Sequence, residues 1–304
     1  MSALPPGVIV LERGWLSSNT VVLDDGSEAA VIDSGYCTHA ALTLELVDRA
    51  IDSRTVATLV NTHLHSDHCG GNAALQSRYP ALHTLIPPGL APAVRDWDEE
   101  ALTYAPTGQE CPRFRFDGML IPGTTVALAG RNWEVHAAPG HDPHSVVLFE
   151  PETRTLVSAD ALWENGFGIV FPELEGESAF DDVAATLDVI AGLRPSVVIP
   201  GHGSVFTDVA GSLSRARSRL QSYVQDPRRH AAHAAKVLLK FKLLELQQVP
   251  VDAFLQWAED TPYFSLVQQR FDPRADLRGW IESFVLQLQG SGALRVENDV
   301  VHNA

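Results

Sequence analysis

The sequence predicts an α/β fold of layered sheets with helices on their outer faces, followed by a small, mainly helical C-terminal part. Three observations predict it. Residues 8–208 read as two β-plus-α halves in series, not as an alternating parallel-sheet pattern. Beyond about residue 208 the periodicity becomes helical, and the charge balance changes at the same place. Residues 1–210 hold 28 Asp/Glu against 10 Lys/Arg, giving −18, whereas residues 211–304 hold 10 against 12, giving +2. All three lysines (Lys236, Lys240, Lys242) lie in the second part. The division is therefore placed at 1–210 and 211–304. A composition of 45% apolar and 20% charged residues excludes disorder and collagen-like repeats over the 304-residue length. The net charge of −16 argues against a general binder of nucleic acid or of anionic membrane.

The elements follow in order. Short strands at Val8–Leu11, 20–23 and Ala29–Ile32 are separated by Gly14 and by an Asp24-Asp25-Gly26 turn, which predicts a meander. Leu42, Leu44, Leu46, Val47 and Ile51 mark a helical stretch, and Val56–Val60 is a β-branched strand. Gly70-Gly71 opens a helix over Asn72–Arg78. Residues 87–118 are Pro-punctuated, with a helix expected over 91–104 and irregular chain over 105–117, as a lid or a surface excursion. A second β-rich run follows at 124–128, 132–137, 145–149 and 155–158, with a turn at Glu150-Pro151-Glu152-Thr153. A helix over Phe180–Leu193 then precedes a buried-type strand at 197–199. In the last part Leu277, Ile281, Phe284, Val285 and Leu288 share one helical face, and 293–296 with 300–301 form a terminal hairpin.

Three widely spaced cysteines, Cys37, Cys69 and Cys111, do not make a disulfide framework, so a reducing compartment is expected. Residues 1–20 carry no basic-then-apolar leader pattern, and no apolar run approaches the roughly 18–20 residues that span a bilayer. A cytoplasmic protein with no membrane partner is the expectation.

The chemistry is concentrated in His63-Leu64-His65-Ser66-Asp67-His68, where a strand runs into a loop. In extended backbone His63 and His65 point to one side. Asp67 and His68 then add a carboxylate and an imidazole as the chain turns. Four donors of borderline preference within six residues are a metal signature, because imidazole and carboxylate suit Zn, Fe and Mn. Three further strand ends each deliver one donor: Pro139-Gly140-His141, Ala159-Asp160 and Pro200-Gly201-His202.

In this order and spacing the set resembles the metallo-β-lactamase-fold hydrolase superfamily, over roughly residues 8–210. The resemblance implies an αββα sandwich with a dinuclear metal site at one edge of the sheets. It implies that His63, His65 and His141 bind one metal, that Asp67, His68 and His202 bind the other, and that Asp160 bridges them. Two divalent ions, zinc with iron or manganese as substitutes, lower the pKa of bound water from 15.7 towards about 7. The expected activity is thus hydrolysis of a small ester, thioester or lactone by a dinuclear-metal-bound hydroxide. Asp67 is the candidate catalytic residue, orienting the nucleophile or passing a proton to the leaving group.

Two other readings use the same residues: a nuclease or phosphodiesterase acting on single-stranded RNA, and an iron redox protein or non-catalytic ligand binder of the same fold. The C-terminal part resembles the winged-helix-like domain of one branch of these hydrolases. Arg274 and Arg278 flank its last helix, but Asp276 and Glu282 interleave with them. Walling the site or forming a homodimer is therefore expected before nucleic-acid binding. A small-molecule substrate is expected, with 162–172 and 87–118 as opposite walls of its pocket. Glutathione thioester hydrolases hold their tripeptide with basic residues. The lack of Lys before position 236 argues against that subgroup, although Arg13, Arg95, Arg113 and Arg115 are available. Among the other histidines, His39 and His83 are read as surface or loop residues and His136 as packing. His144 is left without a role, and His230 with His233 is read as a solvated helix face. Cys69 is read as a small filler.

Overall fold

The computed structural model describes residues 4–304; residues 1–3, the start of the stretch read for a leader, lie outside the described residues. The chain opens with an antiparallel meander of β1 (Val8–Leu11), β2 (Thr20–Asp24) and β3 (Ala29–Ile32). Its tight turn closes because the Asp25 carboxylate accepts the backbone N–H groups of Ser27 and Glu28 at 2.8 and 2.7 Å. Helix α1 (Ala40–Ala50) carries the chain across to β4 (Val56–Val60), parallel to β3. After α2 (Ser66–Cys69) and α3 (Asn72–Arg78) comes β5 (His83–Ile86). Helices α4 (Ala91–Asp96) and α5 (Tyr104–Thr107) lead to β6 (Gly118–Met119). The six strands form one sheet in sequence order.

The second sheet holds β7 (Thr125–Leu128), β8 (Arg131–Ala137), β9 (Val146–Glu150) and β10 (Thr155–Ala159). Helices α6 (Phe171–Glu175) and α7 (Phe180–Leu193) then return the chain to β11 (Val197–Pro200), which pairs parallel to β10. Strand order is β11-β10-β9-β8-β7.

Period-two alternation explains the layering. Val21, Leu23 and Ile32 of the first sheet meet Trp133, Val135, Leu148 and Val157 of the second in one inter-sheet core. Their neighbours Val22, Val31 and Leu59 face the other way, onto Val47 of α1, Ile51 just beyond it and Leu75 of α3. Val147, Phe149 and Leu156 likewise face Val183, Leu187 and Ile190 of α7. The result is the expected α/β/β/α sandwich.

A helical region follows: α8 (Val209–Gln225), α9 (Pro227–Leu246), the short strand β12 (Gln248–Pro250), α10 (Val251–Asp260), α11 (Pro262–Phe271) and α12 (Leu277–Gly290). The predicted face of α12 is the packed one, with Ile281, Phe284, Val285 and Leu288 buried and Leu277 partly buried against them. The Asp276 carboxylate caps this helix by accepting Gly279 N–H at 2.8 Å. The terminal hairpin is present as β13 (Leu294–Glu297) and β14 (Val300–Asn303), and β12 joins it as a third strand on β14. This core also takes in Ile169 and Leu174, so the helical region packs directly on the sandwich. Among the described residues no helix is long and apolar enough to cross a membrane.

The structure departs from the sequence expectation in the 87–118 segment. The single helix expected over 91–104 stops at Asp96, because Trp97 adopts a left-handed conformation (φ 61°). The Asp98 side chain then accepts Glu100 and Ala101 N–H at 3.1 Å, closing a turn instead of a helix. Strands β5 and β6 were not expected, being only four and two residues long.

Trp133 is fully buried between the sheets, and its indole N–H has no hydrogen-bond partner among the described residues. Trp133→Ala is expected to cost about 3–5 kcal/mol in urea unfolding, from lost burial and the cavity left behind. Trp133→Phe, which keeps most of the packing and deletes the unsatisfied N–H, is expected to cost less in the same measurement.

Candidate metal centre

Four chain segments reach the same edge of the sandwich, each just beyond a strand. After β4, residues 61–65 run out of the sheet with Leu64 buried in the neighbouring apolar cluster. His63 and His65 share the opposite side, their ring centroids 4.7 Å apart, as the two-residue spacing predicts. The single turn of α2 then presents Asp67 and His68. His141 follows β8, Asp160 follows β10 and His202 follows β11.

Local backbone features aim these residues. Ala159 takes a left-handed φ of 46° and the β10–β11 register shifts there, which turns Asp160 out of the strand. Gly201 must be glycine: a Cβ there would lie 2.1 Å from Asp160 Oδ1 and 2.9 Å from His68 Cε1.

The seven residues fall into two groups, His63/His65/His141 and Asp67/His68/Asp160/His202, with donor atoms in each group within 4.8 Å of one another. In the first, His141 Nε2 lies 2.8 Å from His65 Nδ1 and 3.3 Å from His63 Nε2. His141 Nδ1 donates to the Ile169 carbonyl at 2.5 Å, which leaves Nε2 as a lone pair facing the other imidazoles. In the second, His202 Nε2 is 3.0 Å from Asp67 Oδ2, and His68 Nε2 is 3.4 Å from Asp160 Oδ1. Asp160 lies between the groups, with its other oxygen 3.4 Å from His141 Nε2. The Trp163 indole donates to Asp160 Oδ1 at 3.1 Å and steadies it.

The residues fit divalent cations. His68 Nε2 is buried with no hydrogen-bond partner among the described residues, and it faces two carboxylates. Converging imidazole lone pairs and carboxylates are a mutually repulsive set until a cation joins them. The electrostatics divide the same way. Burial, with His68 and His65 beside it, pushes His63 well below the usual imidazole range. Burial and His141 push His65 down to about 4. Burial also opposes charge on His68, but Asp160, Asp33 and Asp67 overrule it and hold that imidazole well above its usual value. Asp160 and Asp67 are held low against burial by the histidines around them.

A residue that sequence reasoning missed orients this centre. Asp33, at the end of β3, accepts His68 Nδ1 at 2.8 Å, Thr62 N–H at 2.9 Å and Thr62 Oγ1 at 2.7 Å. Its position immediately after a strand was the available signal. The outlying histidines sort as follows. His39 is half-buried against Ser17 Oγ at 2.9 Å, His83 is exposed, and His136 pairs with Glu134 at 3.0 Å. His144 is exposed and approaches Gly89. Cys69 is a buried filler among Leu64, Tyr104 and Cys111.

The reading of His230 and His233 as a solvated face is corrected. His230 is 1% exposed, and its Nε2 accepts the Val170 N–H at 3.0 Å. His233 is half-buried and lines the cavity over the metal centre. The cause is tertiary: that side of α9 packs on the sandwich. The cavity measures about 90 Å³. Trp163, Ile169 and Phe171 line it from one expected wall and Thr103, Thr107 and Gln109 from the other. Val237, Leu238 and Phe241 of α9 add a wall that no local signal announces. Arg13, Arg95, Arg113 and Arg115 do not line it.

Residues 13–202 match the description Metallo-beta-lactamase superfamily. This chain belongs to that superfamily. Its members' common architecture accounts for the sandwich, and the His/Asp cluster makes the chain a metal-dependent hydrolase. A "Beta-lactamase-like protein 2 homolog" of Drosophila melanogaster is 28% identical over 245 residues, covering 73% of this chain and 74% of that protein. A "Hydroxyacylglutathione hydrolase" of Anaeromyxobacter dehalogenans is 30% identical over 276 residues, covering 88% and 91%. The solved structure of a metallo-beta-lactamase family protein from Thermus thermophilus matches 99% of both chains with a TM-score of 0.57 at 20% identity. That likeness shows the fold, including a comparable C-terminal extent.

Two expectations follow. Asp33→Asn removes the acceptor that orients His68, and metal affinity of the His68 group should fall by about 10–100-fold in chelator competition. The second concerns His230, which burial, with a contribution from His233, pushes down to about 3. Its folded value lies below its unfolded one, so the unfolded chain binds the proton first. This contribution is neutral above about pH 6.5 and destabilises progressively as pH falls from there to about 3. Urea unfolding between about pH 5 and 7 should show a slope shallower by up to one proton in His230→Gln, which keeps an acceptor for Val170.

Proposed function

We propose that this chain hydrolyses a small ester, thioester or lactone at a dinuclear zinc centre, with His63, His65 and His141 holding one ion. Asp67, His68 and His202 would hold the other, and Asp160, which lies between the two groups, would serve both. The observation that carries the reading is the cavity itself. Five of the seven clustered residues (His65, Asp67, His141, Asp160 and His202) line it, while its walls combine aromatic and aliphatic side chains with the neutral polar groups of Thr103, Thr107 and Gln109 and with His233, and include no Lys or Arg. Such a wall suits an acyl compound and offers the flanking phosphates of a polynucleotide no cationic side chain. The same feature favours an apolar acyl compound over a glutathione thioester, although a hydroxyacylglutathione hydrolase is among the relatives.

When bound, two divalent ions supply Lewis acidity and make water nucleophilic near neutral pH. The protein's own groups do the rest. Asp160, steadied by the Trp163 indole, keeps the two donor groups in register. Asp67 lines the cavity and is held ionised by His68 and His202 against the effect of burial. It orients the attacking water through its carboxylate and carries the displaced proton to the leaving alkoxide or thiolate. Trp15 stacks on His202 and Phe171 packs edge-on against His65, so both imidazoles are flanked by aromatic rings. We further propose that residues 211–304 form a winged-helix-like appendage whose α9 completes the pocket.

The test is metal analysis of the purified protein together with thioester, lactone, β-lactam, phosphodiester and RNA substrates. Acyl hydrolysis that chelation abolishes and zinc restores is expected. RNA cleavage persisting at high salt, with acyl substrates inert, would replace this reading by a nuclease, and bound iron without hydrolysis would replace it by redox chemistry. Asp67→Asn should lower turnover by at least about 100-fold, while occupancy of the three-histidine group, measured by metal analysis, changes little. Equal loss of both would contradict a catalytic role for Asp67.

A further inference from the structure

The cavity over the metal centre does not end at α9. A second cavity of about 320 Å³ lies against the same helix and shares Trp15, His233, Val237 and Phe241 with the first. Beyond them it is walled by Leu244 of α9 and Leu288 of α12, with the polar groups of Lys236, Lys240, Gln287 and Ser291 along its edge. The junction is apolar and open: Trp15 is 57% and Val237 37% exposed. Trp15 is nonetheless held in place, stacked on His202 with centroids 5.4 Å apart and edge-on to Trp163 at 5.4 Å. An exposed tryptophan fixed over a site imidazole is a wall waiting for a ligand, not a core residue.

The rim of this groove carries a cation. Lys242 is paired with Glu245 at 3.0 Å. Lys240 donates to the Ala293 and Ala304 carbonyls and to Asn303 Oδ1, tying the terminal hairpin to α9. Lys236 is different: among the described residues its ammonium touches the Gln287 amide oxygen at 3.4 Å and no carboxylate within ion-pair distance. It stands beside an apolar groove, in the part of the chain that is +2, next to a body that is −18. Lys236 is thus a cation with no ion-pair partner among the described residues, free to meet an anionic group at the edge of the groove.

We propose that the groove holds the remote arm of the substrate, an apolar chain that leads away from the reacting acyl group and ends in a carboxylate or phosphate at Lys236. The identity of the reacting group rests on the acyl-hydrolase reading above, whereas the arm is read from the groove's own residues. A neutral ester would fill the apolar part and leave Lys236 without its partner. A polynucleotide has charge but no apolar arm to cross Trp15 and Phe241. Each methylene that enters the groove strengthens binding roughly fourfold, and one charge-assisted contact adds about tenfold.

Two measurements on the full, metal-loaded chain test this. In calorimetric titration decane-1-sulfonate, a poor metal ligand, should bind, butane-1-sulfonate should bind far more weakly, and decan-1-ol should bind about tenfold more weakly. Lys236→Met should remove the difference between sulfonate and alcohol. Val237→Glu, at an exposed position, should weaken both. In hydrolysis assays, ω-carboxyacyl thioesters and acyl thioesters of a phosphate-ended thiol distinguish the two sources of the anion. The preferred series should lose its advantage over length-matched neutral substrates in Lys236→Met, through KM and not kcat. Equal sulfonate binding by the parent protein and Lys236→Met, or no binding, would overturn the groove assignment even if short esters are hydrolysed. Lys236-dependent binding in a chain that hydrolyses no acyl compound would overturn the hydrolase reading and leave the groove assignment standing.

Discussion

The Asp33 carboxylate is the contact on which the metal centre depends. It is 3% exposed, sits at a left-handed φ of 58°, and accepts from the Thr62 backbone, the Thr62 hydroxyl and the His68 imidazole. Its own N–H donates to the Val60 carbonyl at 2.9 Å. One side chain thus joins the end of β3, the end of β4 and the turn of α2, and it fixes which His68 nitrogen faces the site. A buried carboxylate satisfied by three donors is stable where an unpaired one is not. The strained φ is the local cost of placing it there.

Around that anchor the fold solves an electrostatic problem. Five imidazoles and two carboxylates are held together at one edge of the sheets. The arrangement persists because each partner is itself held: His141 by the Ile169 carbonyl, Asp160 by the Trp163 indole, His202 by Asp67. Backbone shape matters as much as side-chain choice, since a Cβ at Gly201 would occupy the space Asp160 and His68 share. The chain's acidity has a separate origin. Only Asp67 and Asp160 of the 28 acidic residues in the first 210 belong to the donor groups, so the excess negative charge lies elsewhere.

The helical region takes part in the site more directly than its composition suggests. His230 accepts from Val170, in the segment leading into α6, and His233, Val237 and Phe241 line the cavity. One helix therefore supports the loop carrying Ile169, the partner of His141, and also closes the pocket above it. The same short stretch thus contacts both a residue of the His/Asp cluster and the helix that lines the pocket.

Read alone, the amino-acid order determined the layered α/β architecture, the change of character near residue 208, and the seven His and Asp residues that the fold gathers at one sheet edge. Those features are encoded locally: alternation along a strand, helical periodicity, and donors placed directly after strand ends. Asp33 left only half a signal, because a single carboxylate after a strand resembles many ordinary loop residues until His68 is seen against it. The break at Trp97 left none, since a left-handed residue there is imposed by packing and not by a glycine. The roles of His230, His233, Trp15 and Lys236 were decided only by tertiary structure. Each depends on which side of α9 meets a surface built from residues far earlier in the chain, and helical periodicity specifies a face without specifying what it will touch.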